Sequence, residues 1–376
     1  MKQRRTIRVC IVVASMDILG GQAIQAQRLL EGLSLESGVE AELLPINPRL
    51  PGPLRLLQRI KYVRTLVTSI AYIASLLARF PRFDVVHVFS ASYFSFVLAP
   101  APAVLIAKLY GKPVLLNYHS GEAEDHLRRW PRTSLPIIRL ADRVVVPSDY
   151  LVSVFAKFGI KAERVLNTVD LARFRFRERR ELSPVLLSNR NLERHYNVEC
   201  TLRAFSIIQD NMPNARLIVA GDGSERNWLR EVAVTLGLKN IEFLGAVSPE
   251  DMPALYDRAS VFVNASDIDN QPLSIIEAFA SGLPVVTTNA GGIPDMVTDR
   301  ETGLIIDRND HEAIAESVIR LLSDNTLALR LASRAGEASH KYTWASVRRD
   351  WLRHYSELSR HEIALIERVE SSSARI

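Results

Sequence analysis

The chain has 376 residues, 47% of them hydrophobic and 24% charged, which excludes a disordered polymer and leaves room for two domains of ordinary size. Its two cysteines, Cys10 and Cys200, lie far apart and outside any CxxC spacing, which excludes a disulfide scaffold and a cysteine-based zinc site and suits a reducing compartment. The net charge of +5 hides an asymmetry: residues 1–175 carry 24 Lys+Arg against 13 Asp+Glu, whereas the remainder carries 23 against 29. A basic first part joined to a mildly acidic second part points to an anionic partner for the first, either nucleic acid or a phospholipid surface.

In chain order, the basic start of the chain runs into the apolar stretch Val9–Ala14, which is too short for a signal peptide and lacks an A-x-A site. It reads as a buried first strand. Gly20-Gly21 then precedes a helical pattern over Gln22–Leu33. From Pro53 to Arg82, Leu56, Ile60, Val63, Val67, Ile70, Ala74 and Leu77 recur at steps of three and four, the spacing of one helical stripe. Arg49, Arg55, Arg59, Lys61, Arg64, Arg79 and Arg82 surround it, and no acid occurs between Glu42 and Asp84. Such a helix, over residues 54–79, can lie in an anionic membrane interface or pack on a core with a solvated basic face. From Val88 to Ala107 about 20 residues lack a charge, the length of a membrane span, but Pro100 and Pro102 interrupt them. A strand and a buried helix are expected there, and no transmembrane helix.

Further strands are expected at Val85–Phe89, Val114–Asn117, Val144–Pro147, Val185–Ser188, Leu217–Ala220, Ile241–Leu244, Val261–Val263 and Val285–Thr287. Between them fall helical patterns at Tyr150–Phe158, Val198–Asp210, Asn227–Leu236 and Ala313–Leu322. This alternation implies parallel sheets covered by helices. The charged stretch Phe174–Pro184 reads as a linker, so the expected fold is α/β, with two Rossmann-like doubly wound domains facing a cleft, at 1–175 and 176–345. A helical tail, 346–376, carries Trp351 and Tyr355 and crosses back to the first domain; the polar end Glu370–Ala374 shows no period.

No P-loop, GxSxG, HExxH or recognised nucleic-acid module is present. Asp267-Ile268-Asp269 has the spacing of a divalent-metal motif, which needs an oxygen-rich shell to complete it. The chemistry concentrates downstream of Asn264. After a strand, the loop Ala265–Gln271 leads to Pro272, suited to a first helical turn, and the free N–H groups of Leu273 and Ser274 would face an anion such as a pyrophosphate. Glu277 lies one turn further, among Ile275, Ile276 and Phe279. It is either an ordinary acid at a helix start or the partner of two ribose hydroxyls.

Asp269, seven residues, Glu277 and then Ala278 to Val286 resemble the hallmark of the retaining glycosyltransferases of family 4, of two-Rossmann (GT-B) type, whose pattern is two glutamates eight apart followed by Ala, a small residue, Gly and Pro-Val-Val. The first glutamate is aspartate here. The resemblance extends over nearly the whole chain. It implies that Gly20-Gly21 opens a helix over the donor phosphates, that His119 in Tyr118-His119-Ser120-Gly121 lies near the reaction centre, and that Arg190 binds the pyrophosphate. Taken alone, the glycine pair is also a plain turn and His119 a packed cleft residue. The family's second phosphate-binding cation, a lysine, falls on His195 with Arg194 beside it. Asn167-Thr168-Val169-Asp170 is similar to the family's linker entry, Gly221-Asp222-Gly223 to a turn facing the nucleotide, Val247 to the base-cradling loop, and Gly291-Gly292 to a further cleft loop.

The resemblance implies catalytic roles for His119, Asp269 and Arg190, and donor binding by Gly20, Gly21, Arg190, Arg194, Gly221, Asp222, Val247, Asn270, Gln271, Pro272, Leu273, Ser274 and Glu277. It implies a nucleotide diphosphate sugar as donor, a glycan or glycolipid hydroxyl as acceptor, and no cofactor, metal or nucleic acid. The basic first part adds a cytoplasmic protein on the inner face of the plasma membrane. The competing expectations are a soluble transferase with a small acceptor, a non-catalytic sugar-nucleotide-binding subunit, and a sugar-nucleotide epimerase.

Overall fold

A computed structural model describes residues 6–15, 20–50 and 52–360; the basic start at 1–5 and the polar end Glu370–Ala374 lie outside the described residues. The regular strands form two six-stranded sheets. The first contains β1 (Ile7–Val13), β2 (Val39–Pro45), β3 (Val85–Ser90), β4 (Val114–Tyr118), β5 (Arg143–Val146) and β6 (Glu163–Arg164), in the order β2-β1-β3-β4-β5-β6. The second contains β7 (Val185–Asn189), β8 (Arg216–Ala220), β9 (Ile241–Gly245), β10 (Val261–Asn264), β11 (Val285–Thr288) and β12 (Leu304–Ile306), in the order β12-β11-β10-β7-β8-β9. Pairing is parallel from β2 to β5 in the first sheet and throughout the second. Helices cover the faces, so the inner strands read as unbroken apolar runs, with Val9 to Val12 and Val261 to Val263 all buried. β2 escaped the sequence reading because Glu40 and Glu42 interrupt its apolar run, as suits an edge strand.

Packing divides the chain into two compact units: residues 1–118, 131–145 and from 347 on, and residues 119–130 with 146–346. The helix Trp344–Ser359 joins the first unit, where the Tyr355 hydroxyl lies 2.8 Å from Nδ1 of the buried His87 on β3 and Trp351 packs against the same imidazole. The stretch 146–175 groups with the second unit, whereas composition alone places a boundary at 175. Two bonds give the reason: the Asn167 N–H donates to Gln271 Oε1 at 2.6 Å, and the Val169 N–H donates to the Tyr342 carbonyl at 2.7 Å.

Within the first unit, the single helix expected from Pro53 to Arg82 is broken. A 3-10 segment, Gly52–Arg59, ends at Ile60, whose extended backbone starts the helix Lys61–Arg79. Tyr72 and Leu76 face inward, and the Tyr72 hydroxyl donates to the Ala99 carbonyl. The expected stripe is not the buried one: Leu56, Ile60, Ile70, Ala74 and Leu77 are exposed, and Val63 and Val67 half-buried. Helix periodicity finds an apolar stripe, but a helix with two such stripes leaves the choice of inner face to its neighbours. By length and composition alone, residues 62–82 are also apolar enough to cross a membrane. The stretch after β3 forms two helices, Tyr93–Leu98 and Pro100–Leu109.

Candidate functional site

In the second sheet, β7, β8 and β9 run outward on one side and β10, β11 and β12 on the other, so the strand order reverses between β7 and β10. Loops leaving the carboxyl ends of two such strands diverge and leave a crevice, the usual ligand position in an open α/β sheet. Arg190 follows β7, and the loop Ala265–Gln271 follows β10. Arg190 Nη2 and Asp269 Oδ2 form an ion pair of 2.6 Å across this point, with both side chains nearly buried. Arg190 Nη1 lies 3.4 Å from Ser274 Oγ, and its guanidinium sits 4.0 Å from the centre of the Tyr196 ring, a cation–π contact.

The loop is held by its own polar groups. The Asn270 N–H donates to Asp269 Oδ1 at 2.9 Å, and Ser266 Oγ lies 3.2 Å from Oδ2. The Ser148 hydroxyl donates to Asn270 Oδ1, while Asn167 Nδ2 donates to the Gln271 carbonyl at 3.1 Å. Pro272 then caps the helix Leu273–Ala280 with an extended backbone, and no side chain caps the first turn. Two buried nitrogens beside this turn, Arg190 Nε and Asn270 Nδ2, have no hydrogen-bond partner among the described residues. A buried N–H without an acceptor costs about 1–3 kcal/mol, which an anion's oxygens would recover.

Glu277 is buried, as its apolar neighbours predict, but Tyr256 on the helix Met252–Arg258 already meets it. The Tyr256 hydroxyl lies 3.1 Å from both Glu277 Oε2 and the Ser274 carbonyl, and it accepts from Asn189 Nδ2 at 3.2 Å. Burial and the Glu277 charge push the Tyr256 phenol well above its ordinary value, so it stays protonated and can donate. Neither Tyr256 nor Tyr196 is marked by sequence spacing, because both reach the site from other elements. Tyr196 does adjoin the expected Arg194–His195 position.

The turns after β8 and β11 allow close backbone approach. Gly221 has φ +135°, and a Cβ there would lie 1.9 Å from the Arg190 carbonyl; at Gly291, with φ +49°, it would lie 2.0 Å from the Asp269 carbonyl. Both glycines therefore set the positions of Arg190 and Asp269. Asp222 is engaged within its own turn, pairing with Arg226 at 3.2 Å. Val247 is half-buried against the core beneath β9. Arg194 is exposed, and the His195 carbonyl accepts from the Asp267 and Ile268 N–H groups at 3.0 and 3.2 Å. Asp267 accepts from Asn197 Nδ2 at 3.2 Å, and no cluster of three metal-ligating side chains occurs among the described residues.

His119 packs with the second unit, and burial pushes its imidazole down to about 4, so it is neutral near pH 7. The Gly121 that follows approaches the Asp269 backbone, where a Cβ would lie 3.3 Å from the Asp269 carbonyl carbon. Gly20 and Gly21 belong to the first unit, where Gly20 caps the helix Gly21–Ser34 after β1. β1 is also a strand at which the order of its sheet reverses. The structure thus gathers Arg190, Gly221, Asp269 to Ser274 and Glu277 beyond the carboxyl ends of the central strands and places the glycine pair in the other unit.

Two Rossmann-like domains with a crevice at a strand-order reversal define the GT-B class of fold. Solved structures share it: Anabaena Alr3699/HepE in complex with UDP-glucose superposes with a TM-score of 0.74 at 16% identity, covering 93% of this chain and 100% of that one. Sucrose-phosphate synthase from Thermosynechococcus elongatus gives 0.75 at 18% identity, covering 94% and 99%. The profile of the family "Glycosyltransferase Family 4" matches residues 19–173, and that of "Glycosyl transferases group 1" matches 172–340. This chain belongs to the group 1, family 4 glycosyltransferases. Among curated relatives, sulfoquinovosyl transferase SQD2 of Arabidopsis thaliana is 27% identical over 75% of this chain and 59% of its own length. A GDP-mannose-dependent alpha-(1-6)-phosphatidylinositol monomannoside mannosyltransferase of Mycolicibacterium smegmatis is 31% identical over 60% of this chain and 66% of its own. The chain spans about three fifths of the length of the first curated relatives it matches.

Proposed function

We propose that this protein transfers a sugar from a nucleotide diphosphate sugar to a hydroxyl of a lipid-linked or polysaccharide precursor at a membrane surface, with retention of anomeric configuration and without a metal. The observation that carries the reading is Arg190 beside the start of the helix Leu273–Ala280, its Nη1 3.4 Å from the Ser274 hydroxyl oxygen in the first turn, with Asp269 as its ion-pair partner among the described residues. A diphosphate supplies the missing negative charge and the acceptors for Arg190 Nε and Asn270 Nδ2.

In this scheme the bond between the anomeric carbon and the diphosphate oxygen breaks, the acceptor oxygen bonds to the same face, and the leaving phosphate oxygen takes the acceptor proton. Arg190 and the helix start stabilise the charge that builds on the leaving group, and the exposed Arg194 offers a second cation. Glu277, held by Tyr256, would accept from the ribose hydroxyls, and the neutral His119 would hydrogen-bond the sugar. Named relatives with lipid products support the acceptor class, among them an alpha-monoglucosyldiacylglycerol synthase of Streptococcus pneumoniae, 25% identical over 69% of this chain. Cys10 and Cys200, both free and buried, fit a cytoplasmic location.

The test is a panel of nucleotide sugars with and without membrane lipid extract, in EDTA, reading released nucleoside diphosphate. Acceptor-dependent release from one donor is expected, reduced at least about 100-fold in Glu277→Ala, the scale of losing two charge-assisted hydrogen bonds. Binding without release would instead favour a non-catalytic nucleotide-sugar subunit, which the Arg190–Asp269 pair also accommodates.

A further inference from the structure

We propose that the outer face of the helix Lys61–Arg79, with the neighbouring helix Pro100–Leu109, seats in the plane of an anionic phospholipid surface. The inference rests on the reading of a membrane-surface acceptor and identifies the part of the chain that reaches that surface. Tyr62, Leu66, Ile70, Ile73 and Leu77 follow one another at steps of four, four, three and four, which places them on one stripe. All five face away from the core, Tyr62 at 81% and Leu66 at 63% exposure. They are not the residues that face inward, which include Tyr72 and Leu76.

A second apolar row stands alongside. The Tyr72 hydroxyl bonds the Ala99 carbonyl and the Tyr110 hydroxyl bonds the Leu77 carbonyl, so residues 99–110 run beside 72–77 in the same direction. Along that segment Leu105, Leu109 and Tyr110 are exposed. Two adjacent rows of exposed large apolar side chains form a patch of the kind that soluble monomers rarely leave open.

The charge pattern selects the occupant. Arg55, Arg59 and Arg64, at the amino-terminal end of the stripe, are exposed and pair with no acid among the described residues. Residues 43–83 hold seven basic side chains and no acidic one. An apolar face with a basic end suits lipid tails below anionic headgroups. The same contacts argue for lying on the bilayer over crossing it. The helix is tied to its unit by Tyr72, by the Arg79–Glu42 ion pair at 2.5 Å and by Gln58 Nε2 on Thr68 Oγ1, and a spanning helix would have to break all three.

The experiment is sedimentation of the full chain with phosphatidylcholine vesicles, with and without phosphatidylglycerol, at low and high salt. Pelleting with the anionic vesicles at low salt is expected, weaker by about five-fold for each arginine removed and by about 100-fold in Arg55→Ala/Arg59→Ala/Arg64→Ala. Leu66→Glu/Ile70→Glu, both at exposed positions, should abolish pelleting while nucleotide binding in the absence of vesicles stays at the wild-type value. Wild-type protein that stays in the supernatant, or equal pelleting of the wild type and the Leu66→Glu/Ile70→Glu variant, overturns the proposal. So does resistance to alkaline extraction, the mark of a spanning helix, and so does a dimer that the glutamate variant dissolves while no form pellets. Donor release is measured separately with detergent-dispersed lipid, so loss of vesicle binding with release intact rejects this surface alone, and loss of release with binding intact rejects the enzymatic reading.

Discussion

The helix Leu273–Ala280 has an arginine at each end, Arg179 buried and Arg190 nearly so, and the two are held in opposite ways. Arg179, from the charged stretch before β7, lies at its carboxyl end, where Nη1 donates to the Ser281 and Gly282 carbonyls at 2.7 and 3.1 Å. Its Nε and Nη2 donate to the Ala259 and Tyr256 carbonyls at the end of the helix Met252–Arg258, both at 2.9 Å. A cation at two helix carboxyl ends is where the peptide dipoles favour it, so Arg179 is satisfied without a ligand. Arg190 lies at the amino end, where the dipole disfavours a cation, and it keeps one buried N–H without an acceptor. The same kind of side chain is fully satisfied at one end of the helix and keeps a spare donor at the other, and position relative to the helix axis makes the difference.

The largest expected effect falls on Arg190. Arg190→Ala should weaken nucleoside diphosphate binding by about 100-fold, the scale of a lost charge-assisted pair, and leave nucleoside binding unchanged. Calorimetric titration with both ligands checks this, and equal losses would reject the phosphate role. Arg179→Ala should do the reverse. It strands four carbonyls at two helix ends and should cost about 3 kcal/mol of stability, while the ratio of diphosphate to nucleoside affinity stays at the wild-type value. In a domain of this size the melting temperature should fall by about 6–12 °C.

Acid acts elsewhere, on the half-buried His119 and the buried His126. Burial pushes His119 and His126 down to about 4 from an ordinary 6.5. Above pH 6.5 both are neutral in either state and the stability is full. Between pH 6.5 and 4 the unfolded chain takes up protons that the folded chain refuses, so stability falls with pH. Urea midpoints across this range should show the slope, and His119→Gln/His126→Gln should flatten it. The smallest expected effect is at Tyr256→Phe, which removes the hydroxyl facing Glu277 and should cost about 1 kcal/mol in a denaturant titration. An unchanged stability there would mean that Glu277 is satisfied by its other contacts.

Local patterns alone were enough to locate nine of the strands and the loop–helix unit around Asp269 to Glu277, because a strand buried on both faces and a proline at a helix start leave marks within a few residues. The acid-interrupted edge strand β2 and the short β6 and β12 carry no such mark. The partners of the site residues were equally hidden. Tyr256 lies 21 residues before Glu277, and Asn167 is 104 residues before Gln271, distances that no local period spans. The helix at residues 61–79 shows the division most plainly. Its composition dictates an apolar, basic helix, but it carries more apolar side chains than one face can bury. Which stripe turned inward was settled by Ala99 and the helix that follows it, and that choice left Tyr62, Leu66 and Ile70 outside. Local chemistry specifies elements because each residue acts on its neighbours in the chain. Which faces and charges remain unspent depends on neighbours that only folding brings near.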